Sequence, residues 1–141
     1  MRTGSLIQLL LTVAAVLVLT ACDTGGKPRP IAYDHESCAY CHMAIADRRL
    51  GAQLVSSKGK VHSFDSIECL ASYVVEHQED AGTAWVTDFA RPGTLVRADA
   101  ARFERAGDSL SWADVLAVAA GAGQSTHGAI RAIEGVNHAA R

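Results

Sequence analysis

The chain has 141 residues, with 13 lysines and arginines against 15 aspartates and glutamates, so its formal net charge is −2. This balance argues against a basic surface for nucleic acid, and we expect no nucleic-acid partner. Apolar residues make up 49% of the chain and charged residues 20%, which is typical of a folded globular protein. The length allows one domain or two very small ones, and it excludes a large catalytic scaffold such as a (β/α)₈ barrel.

The first 21 residues have the pattern of an export signal. Arg2 precedes an apolar run from Leu6 to Leu19, which is short for a membrane-spanning helix. Small residues then precede Cys22, and this ending resembles the bacterial lipobox, in which that cysteine is lipidated after cleavage. The alternatives are an ordinary signal peptide cut nearby and an uncleaved anchor. The resemblance implies a lipid-anchored protein on the periplasmic face of a bacterial membrane, with inner and outer membrane both open.

The residues after Cys22 predict a tether and then a small α/β unit. Residues 22–32 are rich in Gly and Pro, which is typical of a linker. Two β-prone stretches, Gly51–Ser56 and Lys60–Phe64, flank a glycine-containing turn and predict a β-hairpin. Asp65 and Glu68 then have the spacing of a capping box, and apolar residues at helical spacing predict a helix over 66–77.

A third strand completes this first unit. Residues 84–89 alternate and are rich in aromatic side chains, which favours a strand. The order strand, strand, helix, strand predicts that residues 33–90 form one ββαβ-like unit. We therefore expect an α+β fold built from small ββαβ units.

The second half of the chain, residues 91–141, predicts a divergent α/β unit with weaker patterns. We expect a short strand at Thr94–Arg97 and a helix over Asp99–Arg105. Ser111 and Asp114 can begin a further helix that ends at Gly121. The remaining segments predict a loop at 121–128 and a weakly patterned, frayed end over 130–141.

The segment Ser37–Met43 carries the strongest chemical signal, because Cys38, Cys41, His42 and Met43 lie within six residues. Thiolate and thioether sulfurs are soft ligands that select soft cations, above all Cu(I). A two-residue spacer lets Cys38 and Cys41 close on one ion, and Met43 can join them. Zn²⁺ prefers four ligands and seldom uses methionine. We therefore predict a Cu(I) site at Cys38, Cys41 and Met43, with His42 as a further possible ligand.

Two residues elsewhere are additional ligand candidates. With Cys22 lipidated, three cysteines remain, and an odd number of thiols cannot all pair within one chain. Cys69 lies on the predicted helix, where a cysteine is more often a small buried apolar residue than a ligand. His62 lies in the second predicted strand and is more often structural. Both stay open as ligands.

Other interpretations of the cysteine motif remain open. A Cys38–Cys41 pair in an exported protein is often a disulfide or the site of a thiol–disulfide oxidoreductase. Cys-x-x-Cys-His is also the attachment motif of c-type haem, and such an electron-transfer protein would use His42 as an axial ligand. Met43 is adjacent to His42 and cannot reach the opposite haem face. The histidines left for that face are His62, His77, His127 and His138.

The scattered acidic residues give no nucleophile–base pair, so we expect a protein that is not an enzyme. Asp47, Asp65 and Asp88 are too far apart in the sequence to predict a shared catalytic site.

Four segments together resemble the NosL family. They read CAYCHMAIAD from Cys38, GAQ from Gly51, FDSIECL from Phe64 and WVTDF from Trp85. The family consists of lipoprotein copper chaperones for maturation of nitrous oxide reductase, an enzyme of denitrification. The resemblance implies a Cu(I)-binding chaperone with that reductase or its assembly machinery as partner. It also implies two small ββαβ units and a Cys-x-Met core at Cys41 and Met43.

The second half departs from the family pattern. Family members usually have a second methionine there, in a Pro-Met-Gly-like segment that helps hold copper. No methionine occurs after Met43, and residues 107–116 occupy that place. We therefore expect a second unit that is shortened or rearranged.

Overall fold

A computed structural model describes residues 26–121 and 130–134, and the fold is α+β as predicted. The expected export signal, Cys22, the loop after Gly121, His127 and His138 lie outside the described residues. Among the helices that are described, none combines the length and hydropathy needed to span a bilayer.

The described residues form seven strands and two α-helices. The strands are β1 (Ala52–Ser56), β2 (Val61–Phe64), β3 (Gly82–Thr87), β4 (Leu95–Arg97), β5 (Ala101–Arg105), β6 (Asp108–Leu110) and β7 (Arg131–Glu134). The α-helices are α1 (Ile67–Glu76) and α2 (Trp112–Gly121), and a 3-10 helix spans Gln78–Asp80.

The strands form two antiparallel sheets with matching topology. The first sheet has the order β2-β1-β3-β4, and the second has the order β6-β5-β7. Each unit therefore runs strand, strand, helix, strand, with its first strand in the middle. The second unit has short strands but keeps the complete ββαβ order. The division of the chain at residue 90 stays a prediction. Strand β4, which follows residue 90, pairs with β3 in the first sheet.

The predicted hairpin and first helix are confirmed, but the helix cap differs from the prediction. The side-chain oxygen of Ser66 accepts a hydrogen bond from the Cys69 N–H at 3.2 Å, so Ser66 is the N-cap. Asp65 is therefore outside the cap. Glu68 does not close a capping box either, because its carboxylate accepts a hydrogen bond from the Ile130 N–H at 2.7 Å.

The helix predicted over Asp99–Arg105 is wrong, because Ala101–Arg105 is strand β5. Ala101 and Phe103 are buried while Arg102 and Glu104 are exposed, which is the period of a strand. The segment predicted to be frayed contains β7, which pairs with β5. Alanine, arginine and glutamate favour a helix locally, but pairing with β6 and β7 on both sides determines the conformation.

One hydrophobic cluster joins the two units. It includes Phe64, Ile67 and Leu70 from the first unit and Phe103 and Val115 from the second, all nearly fully buried. The two helices lie against each other over this cluster. The second unit therefore supports α1 and the side chains at its first turn.

The start of the described chain covers the opposite face of the first sheet. The indole Nε1 of Trp85 donates to the Gly26 carbonyl at 2.7 Å, and the Arg29 N–H donates to Gln53 Oε1 at 3.1 Å. Gln53 is fully buried, and its amide also donates to Ser63 Oγ at 3.2 Å. Part of the segment expected to be a tether is therefore packed on the sheet.

The first sheet has two ends that matter for the site. At the cysteine end, β1 begins, β2 and β3 finish, and α1 begins, since Ala52 pairs with Phe64 and Val86. At the hairpin end, β1 turns into β2 and β3 begins, since Ser56 pairs with Gly82.

Candidate metal centre

The cysteine motif forms a closed loop. Ser37 and Ala44 pair as an antiparallel bridge, and the Cys38 N–H donates to the Met43 carbonyl at 2.8 Å. The His42 N–H donates to the Cys38 carbonyl at 3.0 Å, with His42 in the left-handed region at φ 64°. These contacts give the loop a fixed shape, which orients both thiols.

A further contact fastens this loop to the end of β2. The Ala39 N–H donates to the Ser63 carbonyl at 2.8 Å. Asp65 comes directly after β2, and Cys69 lies in the first turn of α1. The loop, the strand end and the helix start therefore meet at the cysteine end of the first sheet.

Three thiols and one carboxylate meet at this point. The Sγ atoms of Cys38, Cys41 and Cys69 and a carboxylate oxygen of Asp65 all lie within 4.8 Å of one another. We call these four residues the thiol cluster. The Cys41 thiol donates to Asp65 Oδ1 at 3.6 Å. Cys38 is 1% exposed, Cys41 and Cys69 are half-buried, and all three thiols are free.

The surroundings of the cluster favour the protonated forms of Cys38 and Cys69. Burial raises the pKa of Cys38 above its ordinary value of 9.0, and burial also raises the pKa of Cys69 strongly. The neighbouring Asp65 carboxyl contributes to both shifts in the same direction. In the absence of a metal, Cys38 and Cys69 are therefore neutral at physiological pH.

The other predicted ligands lie in different positions. Met43 lies two residues after Cys41 in the loop and is 65% exposed, and His42 is exposed. His62 is not part of the thiol cluster, and its contacts are with other residues. Its Nε2 lies 3.6 Å from Asp80 Oδ2, and its ring lies 5.1 Å from the Tyr73 ring. The ligand roles of these residues stay predictions.

The environment of His62 is that of a buried aromatic residue. Within the described part of the chain, its Nε2 is buried without a hydrogen-bond partner. Burial lowers its pKa, and Lys60 and His77 act in the same direction against Asp80. His62 therefore stays neutral near pH 7 and contributes to the packing around Tyr73.

Asp65 is the member of the cluster that the sequence interpretation missed as a ligand candidate. The sequence pattern placed it in the helix cap, which the structure gives to Ser66. Two features of the sequence point to the position of Asp65 in the cluster. Ser66 is itself a strong N-cap residue, and Asp65 and Cys69 are four positions apart at a helix start.

The arrangement has the chemistry of a metal site with mixed character. Two or three thiolates suit a soft ion of low coordination number such as Cu(I). Three thiolates and a carboxylate also supply the four ligands that Zn²⁺ prefers. Because the ligands must be deprotonated, loading releases protons from the thiols.

A comparison with protein families gives one match that covers most of the chain. The family model NosL matches residues 30–130, which contain the thiol cluster, Met43 and all but the last strand of the two units. No curated protein and no solved structure matches the chain. The family match and the cluster together fit a copper-binding accessory protein.

Proposed function

Because the chain belongs to the NosL family, we propose that it is a lipid-anchored, extracytoplasmic Cu(I) chaperone that supports copper-site maturation of nitrous oxide reductase. The observation that carries this proposal is the meeting of three free thiols within 4.8 Å at one end of the first sheet. Copper is the cargo of this protein, and the thiols of the cluster bind it and later release it.

The burial of the sulfur atoms supports a direction for this exchange. Cys38 is almost fully buried, Cys41 is half-buried and Met43 is exposed. An acceptor can therefore approach Met43 and Cys41 while Cys38 stays inaccessible. Cu(I) accepts low coordination, so incoming ligands can replace Met43 and Cys41 one at a time.

Proton release accompanies loading in this proposal. Burial holds Cys38 and Cys69 in their neutral forms by raising the pKa of each, so each thiol that binds copper gives up one proton. The reverse step returns a proton to each thiol as the ion leaves. Acid conditions therefore favour release and alkaline conditions favour loading.

The anchor in this proposal is a lipid on Cys22, four residues before the first described residue. Gly26 and Arg29 are held against the first sheet by Trp85 and Gln53. The short segment between the lipid and the folded chain would keep the protein close to the membrane, on the periplasmic side. Several acyl chains give stable anchoring, since each buried CH₂ contributes about 0.8 kcal/mol.

The geometry argues against the two alternatives. Thioether attachment of haem at Cys38 needs space for a macrocycle, but this side chain is 1% exposed within the core. A redox-active Cys-x-x-Cys motif usually lies at a helix N-terminus, which lowers the pKa of its thiol. Here the motif lies in a loop, and burial raises the pKa of Cys38.

An anaerobic titration tests the copper site. Cu(I) is titrated against a competing chelator into the reduced protein and into Cys41→Ser/Met43→Leu. We expect the double variant to bind at least about tenfold more weakly, because one thiolate and one thioether are lost. His35→Gln, an exposed histidine before the loop, is the matched control and should bind as the wild type does. Equal affinities in all three proteins would remove Cys41 and Met43 from the site.

A second experiment tests delivery. The copper-loaded chain is mixed with nitrous oxide reductase that lacks copper, and the metal content of both proteins is measured after separation. We expect copper to move to the reductase faster than it does from a chelator of matched affinity. Transfer at the chelator's rate contradicts a chaperone role.

A further inference from the structure

A group of arginines lies at the cysteine end of the first sheet, and two of them contact the ring of Phe89. They are Arg48 and Arg49 before β1, Arg91 between β3 and β4, and Arg131 at the start of β7. We call these side chains and Phe89 the arginine face. The role inferred for this face rests on the proposed function, since it concerns the recipient of the copper.

Two guanidinium groups lie over the ring of Phe89. The Cζ atoms of Arg49 and Arg131 lie 5.3 and 4.9 Å from the centre of its ring. The Phe89 N–H donates to the Ala132 carbonyl at 2.9 Å, which places Arg131 beside the ring. Both arginines are exposed, so their stacking orders them without removing their charge from solvent.

The other two arginines are also held in place. The Arg48 Cζ lies 5.0 Å from the Tyr33 ring centre. The backbone carbonyl of Arg48 accepts a hydrogen bond from the Gly93 N–H at 3.0 Å. Arg91 Nε donates to Asp88 Oδ2 at 2.7 Å, and Asp88 is 2% exposed. Preorganised side chains lose less conformational entropy when a partner binds.

The local charge of this face is positive. Asp47 bonds Arg49, and buried Asp88 bonds Arg91. Within the described part of the chain, Arg48 and Arg131 have no carboxylate partner, although the whole chain has a net charge of −2. A surface of this kind attracts carboxylates, which bind arginine through two parallel hydrogen bonds.

The arginine face and the thiol cluster lie at the same end of the first sheet. Asp65 comes after β2, Arg49 lies shortly before β1, and Arg91 comes after β3. Neighbouring strands are about 4.8 Å apart, so these three chain segments lie within a few strand spacings. A partner seated on the arginines is therefore close to the copper ligands.

The first described residue, Gly26, contacts β3 and follows the expected anchor at Cys22 by four residues. Gly26 lies against Thr83 and Trp85, and Thr83 is the second residue of β3 at the hairpin end. The four residues from Gly26 back to Cys22 reach at most about 14 Å. A lipid surface is therefore an alternative occupant of the arginine face, which the vesicle measurement below distinguishes from a protein.

We propose that the arginine face docks an acidic protein surface of the copper acceptor, with Arg48 and Arg131 as its principal contacts. Opposite charges accelerate encounter and fix the orientation of two proteins. Docking at this face brings the acceptor's own ligands beside Met43 and Cys41. The specificity of delivery is then separate from the metal chemistry of the thiols.

The test compares two charge reversals of equal size in the full-length lipidated chain. Arg48→Glu/Arg131→Glu alters the arginine face, and Lys58→Glu/Lys60→Glu alters exposed lysines at the hairpin end. Binding of each protein, without copper, to immobilised copper-free nitrous oxide reductase is measured from about 20 to about 300 mM salt. Cu(I) affinity is measured in parallel by chelator competition.

We expect the arginine double variant to associate at least about tenfold more slowly than wild type at low salt and to lose its salt dependence. The lysine double variant should change association less than about threefold. Equal effects of the two variants, or binding that does not depend on salt, overturns the proposal. Loss of binding to vesicles of anionic phospholipid in the arginine variant, with reductase binding intact, assigns the face to the membrane instead and also overturns it.

The copper titration separates this proposal from the proposed function. If the wild type fails to bind Cu(I), the chaperone role fails, while the docking result is still decided by the copper-free binding curves. If both variants bind Cu(I) as the wild type does, both can be compared in the copper-transfer experiment described for the proposed function. Slower transfer to the reductase by the arginine variant alone then reflects docking.

Discussion

The Cys41 thiol lies 3.6 Å from Asp65 Oδ1 and donates a hydrogen bond to it. This contact places a hard oxygen ligand next to three soft sulfur ligands. The same cluster therefore offers different coordination to different metals, since Cu(I) prefers sulfur and Zn²⁺ accepts a carboxylate as a fourth ligand.

Asp65→Asn should separate the two metals. We expect Zn²⁺ affinity to fall at least about tenfold, because one of four ligands is lost, while Cu(I) affinity changes less than about threefold. Competition titrations with chelators specific for each ion measure both. Asp47→Asn, an aspartate bonded to Arg49 outside the cluster, is the control. Parallel losses for both metals contradict a sulfur-only Cu(I) site.

Copper affinity should depend on pH in a predictable direction. Burial raises the pKa of Cys38 and Cys69, so below pH 9 each of them that binds copper must first lose a proton. Cu(I) affinity should fall by about tenfold per pH unit for each bound thiol as the pH is lowered from 8 to 6.

Two variants calibrate this pH dependence. Cys69→Ser should give a shallower slope if its thiol is a ligand, because one proton fewer is released. Met43→Leu should weaken binding without changing the slope, since a thioether carries no proton. The slopes come from Cu(I) competition titrations at several pH values, and a flat profile in the wild type is inconsistent with thiolate ligands.

The hydrogen bond between Glu68 and Ile130 should stabilise the junction of the two units. Glu68→Ala leaves the N–H of Ile130, a residue only 2% exposed, without its acceptor. We expect a loss of about 1–3 kcal/mol in the free energy of unfolding, measured by urea denaturation. Glu68→Gln retains an acceptor oxygen and should lose less.

The control for this measurement is Glu79→Ala, an exposed residue of the 3-10 helix. Its free energy of unfolding should stay within about 0.5 kcal/mol of wild type. A Glu68→Ala protein as stable as this control argues that the two units are joined by apolar packing alone.

Glu36 should support the base of the cysteine loop down to acidic pH. Its hydrogen bonds with the Arg29 guanidinium lower its pKa from an ordinary value of 4.5 to about 2. A lowered pKa gives stability that is complete above pH 4.5 and is lost as the pH falls toward 2.

The test compares the acid unfolding of Glu36→Gln with that of wild type. The variant should be less stable at neutral pH, and the difference should shrink between pH 4.5 and pH 2. Circular dichroism at stepwise lower pH measures both proteins. A difference that is constant across this range contradicts the assigned pKa.

Local signals predicted part of the fold correctly. Alternation and a glycine turn predicted the hairpin of β1 and β2, and apolar spacing predicted α1, because both depend on near neighbours in the chain. Ser111 and Asp114 predicted the start of α2, where the Ser111 N–H donates to Asp114 Oδ2 at 2.8 Å. The resemblance to the NosL family is confirmed by the match over residues 30–130.

Other elements depended on distant partners. Ala101–Arg105 has the local composition of a helix, but it is a central strand because β6 and β7 pair with both of its edges. Residues 131–134 carry a weak pattern, and β5 supplies the hydrogen bonds that make them a strand. Local composition contains no information on either pairing.

The sequence by itself determined the soft-ligand motif at Cys38, Cys41 and Met43, since the identity and spacing of donor atoms do not depend on the fold. Only the tertiary structure decided that Cys69 and Asp65 lie beside that motif and that the arginines collect at the same end. These groups come from separate segments, and the packing of strands and helices in the common core brings them together.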